Sequence, residues 1–201
     1  YQDIQEIDYG LDFYAPQTLI DKNGRRIMIA WMQMWNRQIP THIKGHYWAN
    51  AMTLPRELKI KDGKLYQYPI DEIKRYRKNK VSYKNISVID SVKLDKVEGQ
   101  KLELELEIDM EEATEFGLAI FKSKSEQTVM YYNREREKFV FDRSESAEDL
   151  GGDEVEKQTK DTRQVYIPLV NNKLNLRIFL DRMSVEIFIQ DGEKVMTSTV
   201  F

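Results

Sequence analysis

The chain has 201 residues, of which 41% are hydrophobic and 32% charged, enough apolar material for a buried core and far from a disordered composition. Its formal charge of -3 comes from 34 acidic and 31 basic side chains and carries no electrostatic footprint for nucleic acid or an anionic membrane. There is no cysteine, which excludes disulfides and thiol chemistry, and no apolar run reaches the length of a membrane span.

In chain order, Asp8 to Gln17 (DYGLDFYAPQ) crowds carboxylates and aromatic rings around Gly10, a composition suited to a binding surface. Thr18–Asp21 and Arg26–Met34 flank Asn23-Gly24, which predicts a β-hairpin with a type I′ turn. The return arm sets Ile27, Ile29 and Trp31 against Met28, Ala30 and Met32. Both faces are apolar, so this strand is expected to be covered on both sides. Asn36 to Tyr47, with Pro40, His42, Gly45 and His46, reads as a loop. Trp48 to Leu54 reads as a further apolar strand ended by Pro55. Glu57–Ile60 and Leu65–Tyr68 flank Asp62-Gly63, a second hairpin signal. Short strands without helical periodicity predict an all-β chain.

Residues 71–84 are strongly charged. Ile73 and Tyr76 allow a short helix, and the cluster Lys74, Arg75, Arg77, Lys78 and Lys80 reads as a solvated linker face, with anion binding as the alternative. The domain boundary is placed here, between residues 1–70 and 85–201. Lys101 to Met110 alternates without a fault, so Leu102, Leu104, Leu106, Ile108 and Met110 share one face and the acids face water. Gly117 to Phe121 is another apolar stretch. Val129–Tyr132 and Lys138–Asp142 form a hairpin around 133–137, and Ser144 to Thr162 is a long polar loop. Leu174 to Leu180 and Val185 to Ile189 alternate on either side of Asp181-Arg182-Met183. Asp191-Gly192 then turns the chain into Val195–Phe201. The pattern fits two packed antiparallel sheets, a β-sandwich.

Candidate chemistry is concentrated near the start. Paired carboxyl groups can serve as nucleophile and general acid/base, and Asp8 and Asp12, with Glu6 beside them, have the residue types for it. Against this, acids beside a glycine are commonly turn-forming groups. His42 and His46 have the spacing of a helical metal pair, but Pro40 and Gly45 interrupt a helix there and no third ligand is evident, so no metal site is assigned. Arg56-Glu57 reads as an internal ion pair at a strand end. Arg143-Ser144-Glu145-Ser146 reads as a loop-holding group, with no histidine placed to activate either serine. Glu186 falls on the face opposite Val185 and Ile187, within reach of a neighbouring surface.

Taken together, DYGLDFYAPQT, GRRIMIAWMQMW and WANAMTLPREL (Trp48 to Leu58) resemble the β-fructosidases of glycoside hydrolase family 32, in the order and spacing of that family. RSES (Arg143 to Ser146) and LRIFLDRMSVEIFIQDGEKVMTS (Leu176 to Ser198) resemble its carboxy-terminal module. Met183 and Asn50 depart from the family pattern, which usually has a small polar residue and a glycine there. The resemblance implies the last part of a five-bladed β-propeller over residues 1–70, a linker over 71–84 and a β-sandwich over 85–201. It implies a parent enzyme that hydrolyses sucrose, sucrose 6-phosphate or fructans, with no cofactor.

The family's catalytic blocks, of the Asn-Asp-Pro, Arg-Asp-Pro and Glu-Cys type, do not occur here. No catalytic residue is therefore assigned, and the chain is read as a carboxy-terminal portion inactive by itself. Asp12, Tyr14, Trp31 and Trp35 match positions near the family's fructose pocket and are the expected substrate-binding wall. For Trp31, packing between propeller strands is an equal alternative. The expected partners are a fructosyl carbohydrate and, through exposed strand edges, the missing propeller segment or another chain. Neither nucleic acid nor a membrane is expected. An independent fructan-binding role for the sandwich is the alternative function. Localisation follows the substrate, cytoplasmic for a sucrose-6-phosphate hydrolase and secreted for a fructanase, and the sequence leaves it open.

Overall fold

A computed structural model describes residues 5–49, 51–151 and 160–201. Asn50, and much of the polar loop expected between Ser144 and Thr162, lie outside the described residues. The described chain is all-β apart from two short helical turns, as its short alternating segments predict.

The first sheet is built from β1 (Tyr14–Ile20), β2 (Arg26–Trp31), β3 (Arg56–Lys61) and β4 (Lys64–Pro69), antiparallel and in sequence order. Asp62 and Gly63 both have positive φ, 49° and 75°, so the β3–β4 hairpin has the expected two-residue type I′ turn. The β1–β2 hairpin differs. The Asp21 carbonyl accepts from Gly24 N at 3.0 Å, and Asp21 N donates to the Arg25 carbonyl at 2.9 Å. Gly24 alone is left-handed (φ 78°), which makes this a three-residue loop rather than type I′. The cause is Asp21, whose Oδ1 accepts from the backbone N–H groups of both Asn23 and Arg25 and holds the wider turn.

Met28, Ala30 and Met32 are buried, whereas Ile29 and Trp31 on the other face of β2 are half-buried. The expected strand over Trp48–Leu54 is not formed. β3 occupies only the Arg26–Met28 half of β2, and residues 51–53 lie against the other half, with Met32 N donating to the Ala51 carbonyl and Thr53 N to the Ala30 carbonyl, each at 2.9 Å. Pro55 cannot donate and separates this short ladder from β3. Pro40 starts a one-turn helix, α1 (Pro40–Ile43), because a first-turn proline gives up only an N–H that has no helical partner.

A 3₁₀ helix over Asp71–Tyr76 follows β4. Residues 77–101 then run without helix or strand and largely exposed. Among the described residues eight strands follow: β5 (Leu102–Asp109), β6 (Glu115–Ile120), β7 (Thr128–Asn133), β8 (Lys138–Asp142), β9 (Thr162–Tyr166), β10 (Lys173–Asp181), β11 (Ser184–Ile189) and β12 (Lys194–Thr199). They form two antiparallel sheets, β12-β11-β10-β5 and β6-β7-β8-β9. Between them Met130, Tyr132, Phe139 and Phe141 meet Leu174, Ile178, Val185 and Ile187 in one buried core. The fold is one propeller-type blade followed by a β-sandwich. Strand β9 escapes the sequence reading because only Val165 of its five residues is fully buried, so no alternation marks it.

Candidate functional site

The Asp8–Asp12 stretch lies along β12, the edge strand of one sandwich sheet. Tyr9 N donates to the Val195 carbonyl at 2.8 Å and Asp12 N to the Thr197 carbonyl at 3.0 Å. The two carboxylates complete the ladder. Asp8 Oδ1 accepts from Thr197 N at 2.9 Å, and Asp12 Oδ2 accepts from Thr199 N at 2.8 Å. An edge strand with unmet N–H groups is a pairing hazard, and here two side chains satisfy it. Asp8 Oδ1 also accepts from Gly10 N at 2.8 Å, the turn-forming role that its neighbour glycine suggested. Gly10 is required by proximity: a Cβ there would lie 2.0 Å from the Thr197 carbonyl oxygen. Leu11 then inserts into the sandwich core.

Two buried arginines neutralise this seam. Arg56, 0% exposed, donates through Nη1 to Asp8 (2.8 Å) and Gln67 (3.0 Å), and through Nη2 to Glu186 (2.7 Å) and Thr197 Oγ1 (2.5 Å). Its guanidinium also lies over the rings of Phe13 and Phe188, 5.2 and 5.4 Å from their centroids. Burial pulls its pKa down, but Glu186 and Asp8 more than offset this and hold it above the ordinary arginine value. Burial pushes the Glu186 carboxyl up, ahead of the downward pull of Arg56 and of the Leu54 N–H that it accepts at 2.7 Å. Two acids share one cation. The expected Arg56–Glu57 pair is replaced by this arrangement, and Glu57 instead faces Lys59 at 3.1 Å. Glu186 does reach a neighbouring surface, the blade.

Arg143 is the second buried cation. Its Nη1 donates to Asp12 Oδ2 at 2.5 Å and to the Thr199 carbonyl at 2.6 Å. Arg37 approaches the other Asp12 oxygen at 3.3 Å through Nε and donates to the Lys160 carbonyl at 2.6 Å through Nη1. Asp12 is therefore only 1% exposed, and its carboxylate is occupied by Arg143, Arg37 and Thr199. A sugar hydroxyl does not reach it in this arrangement.

The other expected wall residues come together. Tyr14 opens β1, Trp31 closes β2 opposite it in register, and Trp35 follows in the turn Met34–Arg37. The rings of Tyr14 and Trp35 are 5.6 Å apart, those of Trp31 and Trp35 6.2 Å, and those of Tyr14 and Trp31 6.4 Å, all edge to face. Trp35 is 77% exposed and Tyr14 and Trp31 are half-buried, so the cluster presents a ring surface to solvent. Ala15 at φ 48° and the register shift between Tyr14 and Gln17 turn β1 at this point. Such a surface can stack on the C–H faces of a sugar, with the Tyr14 hydroxyl as a hydrogen-bonding group.

His42 and His46 are exposed on the α1 loop, and no group of metal-binding side chains forms among the described residues. No helix among them is long and apolar enough to cross a membrane. Of the basic run at 74–80, Arg77 pairs with Glu103 (2.7 Å) and Lys74 with Asp71 (2.6 Å). In the sequence Arg143 stands out only as part of a loop-holding group, and Arg37 and Thr199 do not stand out as site residues. Their signals are weak ones: an arginine directly after the apolar β8, and two threonines on one face of an edge strand.

The family model for the glycosyl hydrolases family 32 N-terminal domain matches residues 1–69, and that for the family 32 C terminal matches residues 72–201. The chain is 40% identical over 201 residues to the sucrose-6-phosphate hydrolase of Staphylococcus xylosus, covering 100% of this chain and 39% of that protein. It superposes on the structure of sucrose-6-phosphate hydrolase from Lactobacillus gasseri with a TM-score of 0.80 and 29% identity, covering 97% of this chain and 38% of that one. It also matches a Bombyx mori family 32 β-fructofuranosidase mutant in complex with sucrose, with a TM-score of 0.69 and 26% identity, over 98% of this chain and 37% of that one. The chain thus spans about two fifths of the length of these relatives. Its blade and its sandwich both match, so the chain belongs to glycoside hydrolase family 32.

Proposed function

We propose that this chain supplies one wall of the fructosyl pocket, and the sandwich that braces it, in a retaining β-fructosidase acting on sucrose, sucrose 6-phosphate or a fructan. The observation that carries the reading is the solvent-facing cluster of Tyr14, Trp31 and Trp35 at one end of the blade. The sucrose-6-phosphate hydrolases and the sucrose complex among its relatives support a sugar substrate. Residues 1–70 belong to the propeller in this reading, 71–84 to the linker and 85–201 to the sandwich. Residues 85–101 lead into the first sandwich strand at Leu102.

The 201-residue chain is inactive alone in this proposal. Asp8, Asp12 and Glu186 are engaged by Arg56 and Arg143, so none is free to act as nucleophile or acid. The free edge of β1, with Leu19 and Ile20 exposed, is where further propeller strands dock. Incubation with sucrose is expected to release no reducing sugar. In an enzyme that carries the upstream propeller, Trp35→Ala is expected to lower kcat/KM by about tenfold or more, a loss of about 1.4 kcal/mol in transition-state binding. An unchanged kcat/KM in that variant would remove the wall role.

A further inference from the structure

The turn that carries Trp35 is held from the sandwich. It spans Met34–Arg37 and closes with Arg37 N donating to the Met34 carbonyl at 3.2 Å. Gln33 Nε2 braces it from inside by donating to the carbonyls of Met34 (2.9 Å) and Arg37 (3.1 Å). Its outgoing end is then tied across the domain seam. Arg37 reaches Asp12 and the Lys160 carbonyl. The next residue, Gln38, donates its N–H to the Leu150 carbonyl at 2.6 Å. Further along the same loop, Lys44 pairs with Glu148. Lys160, Leu150 and Glu148 all belong to the connection between β8 and β9 of the sandwich.

At the centre of these ties is Arg143, the first residue of that connection, whose Nη1 holds the Asp12 carboxylate that also faces Arg37. Asp12 lies two residues before Tyr14, and Arg37 two residues after Trp35. One buried acid thus fixes both flanks of the aromatic cluster, and one sandwich arginine fixes that acid. We infer that Arg143 is a positioning residue for the Tyr14–Trp31–Trp35 face, acting through Asp12 and Arg37. The consequence is that the sandwich sets how tightly a fructosyl unit is gripped, although it contributes no ring to the face.

This inference rests on the sugar-wall reading for its functional consequence, but its structural half is separable. The chain has three tryptophans, so 5-fluorotryptophan labelling gives three fluorine resonances, assignable by single Trp→Phe replacements. In Arg143→Ala the Trp35 resonance is expected to shift toward its unfolded position and to sharpen, while far-UV circular dichroism keeps its β signature. Arg143→Lys, which retains the charge but not the forked geometry, is expected to restore the native shift only in part. If Arg143→Ala does not fold, Arg37→Met cuts the same relay on the blade side and is expected to move the same resonance.

A native Trp35 resonance in folded Arg143→Ala or in Arg37→Met would overturn the inference. In parallel, the labelled chain is titrated with a fructosyl oligosaccharide. The native chain is expected to respond at Trp35 and Arg143→Ala to bind about tenfold more weakly. No response from the native chain would overturn the sugar-wall reading and with it the functional half, while the unliganded shifts still report the coupling. Equal affinity in both chains would overturn the functional half alone.

Discussion

Arg56 concentrates more of the seam than any other side chain, because it meets two carboxylates, a threonine and an amide while wholly out of water. Replacing it with Met leaves Asp8 and Glu186 buried together without their cation. The expected loss is about 3–5 kcal/mol, read as a lower urea midpoint with unchanged slope. Replacing Arg56, Asp8 and Glu186 together by apolar residues is expected to recover much of that loss, since the desolvation cost of the charges goes with them. Gly10→Ala tests a different physics. The added methyl would meet the Thr197 backbone rather than a movable side chain, so the loss is expected at or above the upper end of the roughly 1–3 kcal/mol that overpacking typically costs. Gly24→Ala has open space around it and suffers only from its positive φ of 78°, so it is expected to cost about 1 kcal/mol. Equal losses at Gly10 and Gly24 would contradict the close approach.

Among the elements, β5 shows how a strand can be legible while its partners are not. Its unbroken Leu/Glu alternation predicts a half-buried strand, and Leu102, Leu104, Leu106 and Ile108 do pack against the sandwich core. Its neighbour β10, about 70 residues later, cannot be read from that pattern. The water-facing acids are also more than solvating groups: Glu103 accepts from Arg77, just after the 3₁₀ helix, and from Arg177 on β10, at 2.7 and 2.8 Å. Burial pushes the Glu103 carboxyl up, but the two arginines pull it below the ordinary glutamate value. A depressed folded pKa means the contribution is present above the unfolded value and is lost as pH falls through the folded one. Native stability is therefore expected to decline below about pH 4.5 by an amount that Glu103→Gln removes, on the order of 1 kcal/mol or less because Arg77 is partly exposed. Parallel pH–stability curves for the two proteins below that pH would refute this tie.

The hairpins and most of the alternating strands were legible because each depends on local pattern, whereas Tyr14, Trp31 and Trp35 were singled out only by the family resemblance. The seam was not legible, because its donors and acceptors are scattered: Asp8 and Asp12 at one end of the chain, Arg56 in the blade, Arg143 after β8, and Thr197 and Thr199 at the other end. In the local sequence, carboxylates beside tyrosines have the composition of a sugar site. Only the tertiary structure shows that β12 needed them.

For the molecule as a whole, blade and sandwich are joined by Leu11 in the sandwich core and by Gly192 against Gln67 of β4, where Gln67 N donates to the Gly192 carbonyl at 3.0 Å, and they are expected to unfold as one cooperative unit. A chain shortened to residues 85–201 would lose Leu11 from its core and both carboxylate partners of β12. It is expected to self-associate and to melt over a broad range, whereas residues 1–201 melt in a single transition, as sedimentation and calorimetry would show. A monodisperse, sharply melting sandwich fragment would show instead that the domains are independent.

The bond between Asp8 and Thr197 spans 189 positions of sequence, and this has a consequence for synthesis. Contacts of such separation form late, since a long loop must close before they contribute. The Asp8–Asp12 segment is synthesised well before Thr197, yet has nowhere to dock until β12 has been made. Until then β12 is missing, Leu11 has no core to enter and Asp8 and Asp12 remain in water. Ordering of the aromatic face is thus expected to be among the last steps of folding. Chains released before Thr197 are expected to retain the hairpins of the blade without ordering the face they carry.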